Sequence, residues 1–222
     1  MKTIKILNLY ACLGGNRLKW DEVANINIEV TAVELDPVLA ELYQERFPND
    51  RVVIADAHEY LLNNFQYFDF IWSSPPCPTH SRVRVTQKNK KSFEHKYPNM
   101  SLYEEIIFLE NFYKGVYVVE NVIPYYKPLI PAQKRGRHLY WSNIKLPNDL
   151  KQRKKDFQIS RGKNEVENLS LFHNYDFRKY NGEQRMDKIA RNLVDYEVGK
   201  TIFECAVNKI LNKPIEAIGL FI

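Results

Sequence analysis

The sequence predicts an α/β fold, a mostly parallel sheet with helices on both faces. Three observations carry that expectation. Short apolar runs alternate with amphipathic stretches through the first 120 residues. Five of those runs end in a polar, reactive or glycine-rich group, and ligands of parallel sheets sit beyond the carboxyl ends of the strands. The 222 residues are 45% hydrophobic and 27% charged, which supplies the apolar side chains for a core.

Ile4 to Leu9 is the first apolar run and leads into Gly14-Gly15. Ile28 to Val33 is the second, closed by Glu34-Leu35-Asp36-Pro37. A helix is expected from Pro37 to Phe47, since proline suits a first helical position and Leu39, Leu42, Tyr43 and Phe47 recur at helical spacing. Arg51 to Ala55 is a third strand, followed by Asp56, and Phe68 to Trp72 a fourth, followed by Ser73-Ser74-Pro75-Pro76-Cys77. Ser101 to Phe112 reads as a helix, with Leu102, Ile106, Leu109 and Tyr113 on one face. Val116 to Val119 is a fifth strand, ending at Glu120-Asn121. This βαβα rhythm makes a parallel sheet. From Lys145 the chain turns polar, with few apolar anchors (Phe157, Leu169, Leu171, Phe172). The expected organisation is a main domain of residues 1–144 and 185–222 with a small insertion at 145–184. A final helix is expected over Val198, Ile202, Ala206 and Ile210.

A net charge of +5 mildly favours an anionic partner. No apolar run approaches the roughly 20 residues that span a bilayer, so no membrane partner is expected. The first ten residues alternate like a strand and lack a cleavage site, so no signal peptide is read and a cytoplasmic location is expected. Cys12, Cys77 and Cys205 are far apart and odd in number, which argues against a disulfide scaffold and against a metal centre.

Three groups stand out chemically. Cys77 lies between prolines just after a buried strand, a frame that suits a nucleophile held at one angle, although a structural thiol is about as common there. Glu120 stands at the mouth of an apolar strand and suits a group that holds or donates a proton, or one paired with an arginine at the rim. Arg135 and Arg137 alternate on an extended segment and should face one side, as two forks for an oxygen-rich ligand or as a solvated basic edge.

Together these residues resemble the cytosine-5 DNA methyltransferase family. The matching elements are Tyr10-Ala11-Cys12-Leu13-Gly14-Gly15, Glu34, Pro75-Pro76-Cys77, Glu120-Asn121-Val122, Gln133 to Arg137, and Arg191-Asn192. They span residues 4 to 145 and 185 to 211. The chain departs from the pattern at Cys12 and Arg191, where the family usually has glycine. The resemblance implies a Rossmann-like S-adenosylmethionine-dependent methyltransferase fold. It implies Cys77 as the nucleophile on carbon 6 of cytosine, Glu120 at ring nitrogen 3, Arg137 at the ring carbonyl and Arg135 supporting the carboxylate. For S-adenosyl-L-methionine it implies Tyr10 against the adenine, Gly14 and Gly15 leaving room for the methionine part, Glu34 on the ribose, Asp56 on the adenine amine, and Pro76, Leu102 and Asn192 lining the pocket.

The implied partner is double-stranded DNA bound by a monomer in a bacterial, archaeal or phage-infected cell, with any cognate restriction endonuclease a separate protein. Ser81, Arg82, Arg84, Lys88, Lys90 and Lys91 directly after the Pro-Cys loop are expected to meet a phosphate backbone. Arg153, Lys154 and Lys155 form a second basic cluster, in the insertion that stands where the family keeps its target-recognition region. Cytosine in RNA is the alternative substrate, and a nucleic-acid-binding homologue without catalysis is the rival from another class.

Overall fold

The structure is a computed structural model and describes residues 1–86, 94–154 and 164–212. Its centre is β1 (Lys2–Leu9), which pairs in parallel with a strand on each side. Ile4 and Ile6 point to one face and Leu7 and Leu9 engage the other, all four fully buried. A strand covered on both faces must be apolar on both, and the continuous run in the sequence reflects that.

The chain then alternates as expected. β2 (Ile26–Glu34) is followed by α1 (Pro37–Arg46), β3 (Arg51–Ile54) by α2 (Ala57–Asn64), and β4 (Phe70–Ser73) by the one-turn α3 (Val83–Thr86) and α4 (Ser101–Phe112). β5 (Val116–Val122) is the last parallel strand, and β6 (Gln133–Arg135) and β7 (His138–Ser142) return antiparallel. After them come α5 (Glu165–His173), α6 (Met186–Asn192) and α7 (Tyr196–Leu211). The sheet order is β3-β2-β1-β4-β5-β7-β6. The winding direction reverses between β1 and β4, so a crevice opens beyond their carboxyl ends.

Local chemistry sets the helix starts. The Asp36 side chain accepts from the Val38 and Leu39 N–H groups, with Pro37 at the first helical position. Asp195 accepts from the Glu197 N–H and starts α7, so the C-terminal pattern is two helices broken at Leu193 to Asp195. Val198, Ile202, Phe203 and Ala206 of α7 cover one face of the sheet against Trp20, Phe70 and Trp72. Leu102, Ile106 and Leu109 of α4 cover the other against Leu7, Ile71 and Val119.

Two expectations are corrected. β5 continues through Glu120 and Asn121 to Val122, because β7 pairs with its polar end: Glu120 lies opposite Tyr140 and Val122 opposite His138. Leu171 anchors nothing. It is 78% exposed, whereas Leu169, two residues earlier on α5, is fully buried. Phe157 lies outside the described residues. The apolar side chains of the insertion share a core with the main domain, where Leu169, Phe177 and Tyr180 pack with Leu13, Leu39, Leu42 and Ile189. Arg191, where the family usually has glycine, forks onto buried Glu165 and pins α5 to α6.

A buried ion pair ties the loop after β1 to the turn between α1 and β3. Arg17 grips Asp50 through Nε and Nη2, both at 2.9 Å, with side-chain exposures of 4% and 3%, and the Tyr43 hydroxyl donates to the same carboxylate. Arg17 also meets Asp21, whose side chain is 64% exposed. Asp50→Ala strands a buried guanidinium and should cost about 3–5 kcal/mol, whereas Asp21→Ala should cost about 1 kcal/mol or less. Urea denaturation of the two variants checks this, and equal losses would contradict it.

Candidate active site

Buried Glu105 organises the crevice between β1 and β4. Its side chain is fully inaccessible, and a carboxylate so placed must be satisfied by donors. The Tyr10 hydroxyl donates to it at 2.5 Å from the end of β1, Ser73 Oγ at 2.6 Å from the end of β4, and His58 Nδ1 lies 3.2 Å away on α2. Burial, then the Glu105 charge, push the Tyr10 hydroxyl far above its ordinary range, while the Glu105 hydrogen bond holds the His58 imidazole above its usual value. Tyr10 is thus fixed through its hydroxyl, a handle that phenylalanine would lack.

Glu34 ends β2 beside Tyr10's neighbours. Its carboxylate accepts the N–H groups of Cys12, Leu35 and Asp36 at 2.8, 3.0 and 3.0 Å. Burial pushes the carboxyl up against the pull of these three donors. A carboxylate has about four acceptor sites, so one remains for a hydroxyl. Cys12 takes a left-handed φ of 49°, and burial followed by the Glu34 charge push its thiol up to about 12. Asp56 caps α2 through Glu59 N–H and remains exposed, with its charge felt at Tyr10. Leu102 is buried behind this group in the same core cluster that Tyr10 packs against, and Pro76 is exposed on the Pro-Cys loop.

A Cβ at Gly14 would stand 2.3 Å from the Phe47 ring, and one at Gly15 would stand 2.4 Å from the Val194 carbonyl oxygen. The Cβ side of Gly14 is filled by Tyr43 and Phe47 at the end of α1, and that of Gly15 by Leu193 and Val194 at the α6–α7 junction. The donor set of Tyr10, Glu34 and Asp56, an aromatic ring with two carboxylates for hydroxyl and amine groups, still suits a nucleoside-bearing cofactor.

A second cleft, of about 820 Å³, opens beside it. Cys77, Glu120 and Arg137 all line it, with Ser74, His138 and Tyr140. The prolines keep residues 74–78 irregular, and Asn121 Nδ2 donates to the Pro75 carbonyl at 2.9 Å. Ser74 Oγ donates to Glu120 at 3.1 Å and receives Trp72 Nε1–H at 2.8 Å. His138 Nε2 stands 3.6 Å from the other Glu120 oxygen. Burial, then the Glu120 charge, push the Cys77 thiol up, and the charge of Lys188 pulls it back.

Arg135 does not join this group. Gly136 turns the chain at φ +55° between the two arginines, so they do not share a side. Arg135 donates to the carbonyls of Leu146 and Pro147, away from Glu120, while Arg137 makes no hydrogen bond among the described residues and is exposed in the cleft. Asn192, expected at the cofactor, lines the Cys77 cleft at the end of α6.

Among the basic residues, Ser81 and Arg82 line the cleft, with Arg82 Nε donating to the Pro124 carbonyl at 3.4 Å, and Arg84 donates to the Glu94 carbonyl at 2.6 Å. Arg153 is not a solvated surface cation. Its guanidinium lies between the Phe172 and Tyr196 rings, 3.9 and 3.5 Å from their centroids, and pairs with Asp195 at 3.2 Å in the cleft wall. Lys154 is exposed, and Lys88, Lys90, Lys91 and Lys155 lie outside the described residues. Among the described residues no cluster of His, Cys, Asp or Glu could hold a metal ion, and no helix is long and apolar enough to cross a membrane.

Residues 4–125 match the model of the family described as C-5 cytosine-specific DNA methylase. The human tRNA (cytosine(38)-C(5))-methyltransferase is 28% identical over 120 residues, covering 50% of this chain and 31% of that protein. The chain thus spans about a third of the length of the curated relative it matches. Among solved structures, a mutant of Spodoptera frugiperda DNMT2 aligns at 23% identity with a TM-score of 0.38, covering 54% of this chain and 35% of that one. The S. pombe Dnmt2 methyltransferase aligns at 18% identity with a TM-score of 0.41, covering 55% and 35%.

The electrostatics at Cys77 predict a reactivity change independent of any substrate. Glu120→Gln removes a negative charge that opposes thiolate formation, so the thiol's pKa should fall and the thiolate fraction at pH 8 rise. Alkylation of Cys77 by iodoacetamide, read by peptide mass spectrometry, should quicken several-fold, on the order of one lost nearby charge. A slower or unchanged rate would contradict the arrangement.

Proposed function

The chain belongs to the C-5 cytosine-specific DNA methylase family, and on that premise we propose that it methylates carbon 5 of cytosine in double-stranded DNA. The observation that carries the reading is the single cleft lined by Cys77, Glu120 and Arg137. The cofactor that goes with the family is S-adenosyl-L-methionine, and Tyr10, Glu34 and Asp56 are the residues to hold it.

Carbon 5 of cytosine is a weak nucleophile. The Cys77 thiolate adds through sulfur to carbon 6, and the electron pair displaced from the 5,6 double bond makes carbon 5 enamine-like. Glu120 hydrogen-bonds ring nitrogen 3 as a proton donor and contacts the exocyclic amine, which favours addition. Arg137, without another partner among the described residues, meets the ring carbonyl oxygen. Ser74 holds the Glu120 carboxylate through its hydroxyl, and His138 stands beside it. The bound cofactor supplies an electrophilic methyl group. Loss of the carbon 5 proton to a base then restores the double bond and expels the Cys77 thiolate. The resting thiol is protonated at neutral pH because burial and the Glu120 charge raise it, so its proton leaves before addition, and the Glu120 carboxylate that takes it up presents it to ring nitrogen 3.

The reacting carbon is inaccessible within a duplex, so the base is flipped into the cleft. Ser81 and Arg82 on the cleft rim face the polymer, and the insertion at 145–184 reads the target. It is small, and each good bidentate contact gives roughly 1–3 kcal/mol of discrimination, which fits a short site of about two to four base pairs. The cellular setting is a modification enzyme acting as a monomer. A second reading, cytosine in RNA, is favoured by the curated relative, whose name gives tRNA as its substrate.

Transfer of tritiated methyl from labelled S-adenosylmethionine to duplex DNA and to a transfer-RNA pool tests both readings. Label should enter DNA as 5-methylcytosine, and Arg137→Ala should lower turnover by more than it lowers DNA affinity, since phosphate contacts dominate binding. Label in RNA alone would establish the second reading, and label in neither would defeat both.

A further inference from the structure

We propose that His80 is a positioning residue that holds the Cys77 loop against the segment following Glu120. The inference rests on the methyl-transfer reading above for its kinetic consequence, while its structural consequence can be measured without that reading.

Cys77 sits between two fastenings. Before it, Asn121, the neighbour of Glu120, donates to the Pro75 carbonyl at 2.9 Å. After it, the Cys77 carbonyl accepts the N–H groups of His80 and Ser81, both at 3.0 Å. The His80 carbonyl in turn accepts the Tyr125 N–H at 3.1 Å, and Ser81 bridges to Pro124. The turn that begins at Cys77 is therefore laced by backbone to the chain four and five residues past Glu120.

The His80 side chain completes the lacing. The residue is 1% exposed, and its Nδ1 lies 2.5 Å from the Tyr126 hydroxyl. The imidazole packs edge-on to Tyr103 of α4, with ring centroids 6.5 Å apart, and Tyr103 Oη accepts the Leu129 N–H at 3.2 Å. Burial pushes the imidazole down against an opposing pull from the Asn99 backbone, so the ring is neutral, and Nδ1 makes a directional bond to Tyr126. The titratable groups facing it are the hydroxyls of Tyr126 and Tyr103. An apolar ring could fill this volume. A ring nitrogen adds a bond whose direction fixes the loop, and a directional polar contact specifies one arrangement where an apolar one tolerates several, although Nε2 of the same ring is buried without a hydrogen-bond partner among the described residues. The thiol of Cys77 and the carboxylate of Glu120 are thereby held as one unit, and a small misplacement of reacting groups is costly in rate.

The test compares His80→Phe, which keeps a ring but loses the bond, with His80→Asn, whose amide restores a polar atom near the Nδ1 position. Tyr126→Phe breaks the same bond from the half-buried side and carries the test if His80→Phe fails to fold. With the substrate that the wild type methylates, His80→Phe and Tyr126→Phe should each lower kcat roughly fivefold to tenfold, with KM within about twofold, the size of one lost neutral hydrogen bond. The double variant should be no worse than either single one. His80→Asn should recover to within about threefold of the wild type on the same scale. Iodoacetamide should label Cys77 roughly threefold faster in both phenylalanine variants as the loosened loop gains solvent. Unchanged kcat and labelling, a loss confined to KM, or His80→Asn no better than His80→Phe would overturn the proposal. A wild type that methylates neither DNA nor RNA would defeat the methyl-transfer reading, and the labelling rates would still decide the place of His80.

Discussion

The reversal of the sheet between β1 and β4 is the constraint on which the rest depends. Five parallel strands deliver their carboxyl ends to one rim, and the two central ones wind apart there. Glu105 closes that point from below. A carboxylate out of solvent costs several kcal/mol unless donors compensate it. Tyr10 and Ser73 are the donors, one from each strand end. The crevice floor is therefore set by a desolvation requirement, and the Pro-Cys loop starts from Ser73, a residue that cannot drift without stranding that charge.

From this floor two neighbouring sites are built by different means. The side at the end of β2 uses backbone donors: three N–H groups converge on Glu34. The reactive side uses cross-strand geometry. Glu120 and His138 are diagonal neighbours on antiparallel β5 and β7, close enough for long side chains to meet. The insertion leans on both, through Arg191 on Glu165 and Arg153 between Phe172 and Tyr196. Cleft wall and insertion thus share anchors with the main domain.

The sequence was most legible where burial dictates residue type. Apolar runs gave β1 to β5, and helical spacing gave α1 and α4, with Ser101–Phe112 matched in full. It was least legible where a strand carries function. β5 was expected to end at Val119 because the apolar residues stop there, yet the strand continues through Glu120 and Asn121, which face the cleft and the Pro75 carbonyl. α5 was invisible because its buried face holds Glu165, Leu169 and His173, two of them polar. In the site, residue type and order brought Cys77, Glu120 and Arg137 to one cleft. Arg135 was misplaced because strict alternation fails at the left-handed Gly136. The close approach of Phe47 to Gly14 and of Val194 to Gly15 was not legible, since those neighbours are distant in sequence. Glu105, His58, His80 and His138 carried no signal at all, since each is defined by a partner that only folding supplies.

The central claim is that Cys77 attacks a cytosine ring within the cleft. The most direct measurement is intact mass and peptide mapping of the protein incubated with S-adenosylmethionine and duplex DNA containing 5-fluorocytosine. Fluorine cannot leave as the carbon 5 proton does, so the sulfur should remain bonded to carbon 6. The account predicts a stable protein–DNA adduct mapped to the Cys77 peptide, lost in Cys77→Ser and retained in Cys12→Ser and Cys205→Ser. An adduct at Cys12 or Cys205, or methyl transfer by Cys77→Ser at the wild-type rate, would contradict it.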